Sequence, residues 1–138
     1  MPRRWQQFQE TGFPPIDAEH HHLSEALARL LDAVNANDRK LAVVQLAELV
    51  SQYASHFAHE ERLMAESQYQ LTERHRQAHA VVLQDATKFL AELTRHGLSP
   101  SFRRWATGRA LEGFRLHIAA NDVGLGRFLA SRAPTRRE

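Results

Sequence analysis

Apolar residues recur along this chain at steps of three and four, the interval of a buried helix face, and nowhere with the two-residue alternation of a strand. Residues 1–16 read as an arm, because Pro14 and Pro15 disfavour helix immediately before Asp17, a good N-cap residue. A first helix then carries His20, Leu23, Leu27, Leu30 or Leu31, and Val34 on one face and ends near Asn35 to Asn37. Asp38 caps a second helix whose stripe runs Leu46, Leu49, Tyr53, His56, Glu60 and Leu63. A third begins near Thr72, carries His75, His79, Val82, Ala86, Phe89, Leu90 and Leu93, and stops with Gly97 as its C′ residue. Ser99 and Pro100 suit the N-cap and N1 positions of a fourth, which continues through Phe102, Trp105, Ala106, Ala110, Phe114 and His117. Gly124 and Gly126 weaken it before a short last turn with Leu125, Phe128 and Leu129. The pattern predicts an all-α protein: an up-down-up-down antiparallel four-helix bundle with an N-terminal arm and a short C-terminal helix. Residues 1–138 form one domain in this reading, with the arm at 1–16, the bundle at 17–131 and a frayed tail at 132–138.

Composition narrows the class. A chain of 138 residues with 43% apolar and 25% charged residues can bury one substantial core. It has no cysteine, which excludes disulfides, thiolate zinc sites and iron–sulfur clusters. The net charge of +2 is too small for a nucleic-acid-binding field. The opening MPRRWQQFQE has no apolar signal region, and no run of 18 apolar residues occurs, so neither a signal peptide nor a membrane span is expected. The cytoplasm is the default expectation.

What changes the picture is which polar residues fall on the apolar stripes. His20, His56, Glu60, His75, His79, His117 and Asp122 extend those stripes into the bundle interior. His56 and Glu60 are four apart, as are His75 and His79, so each pair shares a helix face. Burying that many unpaired imidazoles and carboxylates costs several kcal/mol for each unpaired group unless something compensates, and a metal centre does so. Mixed nitrogen and oxygen donors suit iron, zinc or manganese better than magnesium or calcium. Two six-coordinate metals bridged by both carboxylates and an oxo or hydroxo group, with five imidazoles, would keep one position open for a small ligand such as O2. Carboxylate-rich di-iron bundles favour oxidase chemistry, whereas a nitrogen-rich site holds iron(II) more readily and favours reversible binding.

The segments IDAEH (16–20), HFAHEERLM (56–64), HRQAH (75–79) and HIAAND (117–122), taken in this order and spacing, resemble the hemerythrin family, specifically its single-domain bacteriohemerythrins. The similarity covers roughly residues 5 to 130. What the resemblance implies is a non-haem di-iron protein that binds O2 reversibly, for storage, delivery or buffering. His75, His79 and His117 would bind one iron, His20 and His56 the other, where O2 binds, and Glu60 and Asp122 would bridge the pair. Two other roles use the same centre: an O2 or redox sensor acting through a separate protein partner, or a di-iron enzyme acting on peroxide or nitrogen oxides. No further base, nucleophile or substrate pocket is legible, so a non-enzymatic role is expected.

Two local features qualify this reading. His117 and Asp122 are five apart, which on an ideal α-helix turns them about 140° from each other. Either the helix loosens near Asn121 or Asp122 approaches from the side. Gly113, one turn before His117, replaces a tryptophan common in relatives and leaves space on the ligand face unless Phe114 or Trp105 fills it. His21, His22, His59 and His96 are expected at the surface, Glu61 as a solvated or supporting carboxylate, and Arg103, Arg104, Arg109 and Arg115 as a solvated face.

Overall fold

A computed structural model describes residues 8–132, so the expected fraying of the tail beyond Arg132 and residues 1–7 of the arm lie outside the described residues. All regular structure within 8–132 is helical: α1 (Pro14–Asn35), α2 (Arg39–Ser67), α3 (Thr72–His96), and a fourth helical run from Pro100 to Arg132. That run comprises α4 (Pro100–Arg104), a π turn (Trp105–Arg109), α5 (Ala110–His117), a second π turn (Ile118–Asp122) and α6 (Val123–Arg132). The helices pack as a bundle. None of the described helices is long and apolar enough to cross a membrane.

The expected punctuation at the inner links is present. Asp38 accepts a hydrogen bond from the Leu41 N–H at 3.0 Å and caps α2. Ser99 Oγ accepts from the Phe102 N–H at 3.1 Å, with Pro100 in the first turn of α4. Gly97 ends α3 at φ +72°, where its freedom from a Cβ is needed.

The first boundary differs from expectation. Helix α1 begins at Pro14, not Asp17, because proline lacks only an N–H that the first turn would leave unpaired anyway. Asp17 secures the incoming chain instead: its carboxylate accepts from the Thr11 N–H at 2.8 Å, the Thr11 hydroxyl at 2.9 Å and the Gly12 N–H at 3.2 Å. Thr11 is thereby pressed against Gly126 of α6, where any Cβ would collide with the threonine side chain and its carbonyl oxygen. Gly126 therefore marks a close approach rather than a weak point, and α6 runs through it unbroken.

Arg103 is also more than a solvated side chain. It donates to the carbonyls of Leu98 at 3.1 Å and Val34 at 3.4 Å and to Asn37 Oδ1, tying the α1–α2 link to the α3–α4 link.

Two apolar clusters fill the bundle. The larger includes Leu27, Leu30, Leu46, Leu49, Tyr53, Phe57, Phe89, Leu93, Phe102, Trp105 and Phe114. The smaller consists of Ile16, Met64, Leu125 and Leu129, with Leu63 and Phe128 packed against it. All seven polar residues picked out by the sequence are buried in the same interior.

Candidate metal centre

His20 comes from α1, His56 and Glu60 from α2, His75 and His79 from α3, His117 from the end of α5, and Asp122 from the end of the second π turn. None exceeds 6% exposure. On α2 and α3 the four-residue step alone sets both side chains of each pair inward. Between His117 and Asp122 the helix widens: the Val123 N–H reaches back to the Ile118 carbonyl, five residues earlier. The Asn121 side-chain amide donates to the His117 carbonyl at 3.2 Å. Loosening near Asn121 was one of the two arrangements the spacing allowed, and it lets Asp122 face the same interior as His117.

The two carboxylates divide their oxygens between two groups of imidazoles. Glu60 Oε1 lies 2.8 Å from His79 Nε2 and 3.2 Å from His75 Nε2. Asp122 Oδ1 lies 2.9 Å from His75 Nε2 and 3.2 Å from His117 Nε2. Glu60 Oε2 faces His56 Nε2 at 3.1 Å and His20 Nε2 at 3.8 Å, and Asp122 Oδ2 is 2.8 Å from His20 Nε2. The donor atoms thus form two sets, one from Glu60, His75, His79, His117 and Asp122 and one from His20, His56, Glu60 and Asp122, with all atoms of a set within 4.8 Å of one another.

These residues fit a metal pair better than they fit one another. Seven buried side-chain atoms among the described residues have no hydrogen-bond partner, and five face this centre: Nε2 of His56, His75 and His117, Glu60 Oε2 and Asp122 Oδ1. They approach oppositely charged neighbours without the alignment that a hydrogen bond requires, as donors aimed at a shared point would. In the metal-free protein, burial pushes the imidazoles toward the neutral form, but the surrounding carboxylates win. Glu19 and Glu60 raise His56 to about 10, and Asp122 and Glu60 raise His75 to about 9. Burial and mutual repulsion act against charging Glu60, yet His56, His75 and His79 hold it well below the usual carboxylate range. Asp122 is likewise held low, against its burial, by His117, His20 and His75.

Supporting contacts fix the ring orientations. His79 Nδ1 lies 2.9 Å from Glu61 Oε2, and His56 Nδ1 lies 2.6 Å from Glu19 Oε1. A carboxylate on Nδ1 fixes the tautomer that turns a bare Nε2 inward and increases its basicity as a ligand. Glu61 is therefore a supporting carboxylate, as expected, whereas Glu19 was not singled out from the sequence. It directly precedes His20 inside the IDAEH segment, but only the packing of α1 against α2 brings it to His56. His59, expected at the surface, is partly buried there, 27% exposed with Nδ1 2.8 Å from Glu19 Oε2. His21, His22 and His96 are exposed, as expected.

Aromatic rings close one side. Phe57 stacks on His79 at 4.1 Å between centroids, Phe114 stacks on His117 at 5.9 Å, and Phe114 meets His20 edge-on at 5.7 Å. Gly113 is not on the ligand face: it is exposed, with nothing within 4 Å of where a Cβ would be. Phe114 occupies the position beside the imidazoles. Gly113 and His117 share α5, and Phe114, three residues before His117, takes the place beside the ring that the four-residue step had suggested for Gly113.

Comparison with known proteins agrees with this geometry. The profile of the hemerythrin HHE cation-binding domain matches residues 11–128. Bacteriohemerythrins from Pseudomonas aeruginosa are 31% identical over 85 residues, which cover 62% of this chain and 56% of theirs. Those from Pseudomonas paraeruginosa and Stenotrophomonas maltophilia align at the same identity and coverage. The aligned part of the chain therefore spans little more than half the length of these relatives. No solved structure matches the chain.

Proposed function

Taking as premise that this chain belongs to the hemerythrin family, whose domain binds a non-haem metal centre, we propose that it holds two irons and binds O2 reversibly. The observation that carries the proposal is the division of the carboxylate oxygens, one oxygen of Glu60 and one of Asp122 turned toward each group of imidazoles. Two carboxylates so placed would bridge a pair of metals. His75, His79 and His117 would hold one iron, and His20 and His56 the other, with an oxo or hydroxo group as the third bridge. The half with two imidazoles has one protein ligand fewer, and O2 is assigned to it.

When bound, the iron pair supplies the electrons that reversible O2 binding requires. The chain's own residues do the rest. Glu19 and Glu61 hold one imidazole on each side of the centre in the ligating tautomer. Phe57, Phe114 and Tyr53 keep water from the interior face and admit a small apolar molecule more readily than a polar substrate, which supports a binding role over an enzymatic one. Short links at 36–38, 68–71 and 97–99 support an up-down-up-down order for the four helical runs, with residues 1–138 forming one hemerythrin-like domain. A cytoplasmic setting belongs to the same proposal, since a reducing compartment returns the irons to the O2-binding state.

Metal analysis after expression in iron-supplied cells tests the centre. The expected result is about two irons per chain, the stoichiometry of a bimetallic site. A value near one, or zinc alone after such expression, would contradict the site as described.

A further inference from the structure

We propose that ferrous iron reaches this centre through the cavity between α1 and α2 that ends at His56. Glu19, His22 and Gln52 form a way-station for the ion there; the inference rests on the metal centre proposed above. The cavity has a volume of about 250 Å³, and Glu19, His22, Gln52, Ser55 and His56 line it. The His56 ring is the partition between cavity and centre. Its outward Nδ1 meets Glu19 Oε1 at 2.6 Å, and its inward Nε2 meets Glu60 Oε2 at 3.1 Å. A centre whose side chains are all buried needs such a path for its metal.

The donors along the cavity suit a cation that must bind and then leave. Glu19 supplies a half-buried carboxylate, with Oε2 held 2.8 Å from His59 Nδ1. Gln52 supplies an amide oxygen that is buried without a hydrogen-bond partner, while its Nε2 donates to Glu48 at 3.2 Å. An orphaned buried acceptor is costly, and a cation or the water it carries satisfies that oxygen. At the mouth His22 is exposed, and Glu25 lies between it and His21, 4.0 Å from His22 Nδ1 and 3.2 Å from His21 Nε2. Carboxylate, amide oxygen and imidazole together take ferrous or manganous ion. Among the described residues, histidines and carboxylates gather into closed groups only at the centre itself, so the outer donors hold an ion loosely and release it inward.

Two other cavities approach the centre, and both oppose a cation. The one of about 440 Å³ that reaches His79 has the Arg76 guanidinium in its wall, 3.8 Å from Glu61 and 3.6 Å from Glu73. The one of about 140 Å³ beside Trp105 carries Arg109, and its Asp85 is already engaged by the Trp105 indole N–H at 2.9 Å. Of the three, the cavity at His56 alone has a carboxylate and neither lysine nor arginine in its wall. A cleft of that sign concentrates cations, whereas a fixed guanidinium repels them. An ion that binds Glu19 frees His56 Nδ1, and the released ring turns to admit it to Glu60 and His20 behind. Return of Glu19 to His56 closes the path and restores the ligating tautomer. Each step exchanges one nitrogen or oxygen donor for another, with no change in oxidation state.

Iron exchange by the loaded protein tests the path. Release from the reduced two-iron protein to a ferrous chelator in excess, and reloading with ferrous ion under argon, are followed optically. Ser55→Arg, which sets a guanidinium in the cavity and removes no proposed donor, should slow both by about tenfold, the lower end of what a charged cleft does to an association rate. Final iron content and the optical spectrum should match the parent, because a path alters passage and not the bound state. His22→Ala and Gln52→Leu should each give a smaller slowing, and Glu73→Gln at the cavity by His79 should give none. Manganous ion added to the iron-loaded protein should lose part of its free-ion EPR signal to one weak site, and the His22→Ala/Gln52→Leu double variant should restore that signal. Ser55 and His22 are exposed, so their variants keep the test intact if Gln52→Leu disturbs folding.

Parent exchange rates in a folded two-iron Ser55→Arg protein would overturn the path. Slowing by Glu73→Gln in its place, or no manganous site in the parent, would overturn it too. A parent that holds no iron would overturn the function proposed above, an outcome distinct from a two-iron parent whose cavity variants exchange at its own rate.

Discussion

On α2 and α3 the paired residues of the centre are four apart on unbroken α-helix, whereas His117 and Asp122 are five apart and the helix widens between them. Both arrangements deliver their side chains to one interior, and the carboxylates they carry, Glu60 and Asp122, are equally buried at 0% exposure. The regular helices need nothing but periodicity to do this. The final run needs a backbone departure, and with it a support: the Asn121 amide donating to the His117 carbonyl. A helix-widening turn is thus the structural counterpart of one extra residue between two ligands. It also explains why the last run carries most of the features that periodicity alone could not place.

If the two regions serve one centre, removing either carboxylate should have the same large effect. Glu60→Ala and Asp122→Ala should each lower metal content well below that of the parent, measured by elemental analysis. Each should also lower the melting temperature markedly, because metal binding contributes directly to folding stability. Full metal content in Asp122→Ala alone would separate the π turn from the centre.

The pH response follows next in size. His56 and His75 have folded pKa values of about 10 and about 9, above their ordinary 6.5, so the metal-free bundle holds their protons more tightly than the unfolded chain does. That stabilisation is fully present below pH 6.5 and is lost as pH rises through 9 and 10. Glu60 and Asp122 are shifted below their ordinary 4.5 and 3.8, so their contribution is present above those values and lost as pH falls beneath them. Thermal melts of metal-free protein should therefore weaken at both extremes. Iron uptake at pH 7 should release protons, those of His56 and His75 among them together with any lost by water on forming the oxo or hydroxo bridge, detectable in weakly buffered solution. Uptake with no proton release would contradict the charged state described for the metal-free centre.

Smaller effects separate positions within the final run. Gly126→Ala should destabilise by about 1–3 kcal/mol, since a Cβ there meets Thr11 and its backbone. Asn121→Ala should cost about 1 kcal/mol through the lost hydrogen bond to the His117 carbonyl. Gly113→Ala should stabilise by up to about 1 kcal/mol, because it adds helix propensity in open space. Denaturant melts of the three variants rank them, and a destabilised Gly113→Ala would show that this glycine is required by the backbone.

Much of the bundle was legible because its signals are local. Asp38, Ser99 and Gly97 act where their chemistry is strongest, at helix ends, and the stripes of three and four residues mark the buried faces. The seven polar residues of the centre were found from their place on those stripes, and the structure gathers all of them. What escaped was non-local or depended on one inserted residue. Proline is tolerated in a first turn as well as before one, so Pro14 and Pro15 did not fix the start of α1. The role of Glu19 depends on α2 lying alongside α1, which no interval in the sequence records. The π turn at Trp105–Arg109 has no ligand pair across it to reveal a five-residue step, and residues three and four before His117 compete for one face, so Gly113 was placed where Phe114 lies.

The most direct test of the central claim is the optical spectrum of the reduced, two-iron protein carried through repeated cycles of air and argon. The account predicts visible absorption that rises with O2, disappears when O2 is removed, and returns over several cycles with iron content unchanged. A spectrum that does not respond to O2, or that converts once and never reverses, would contradict it.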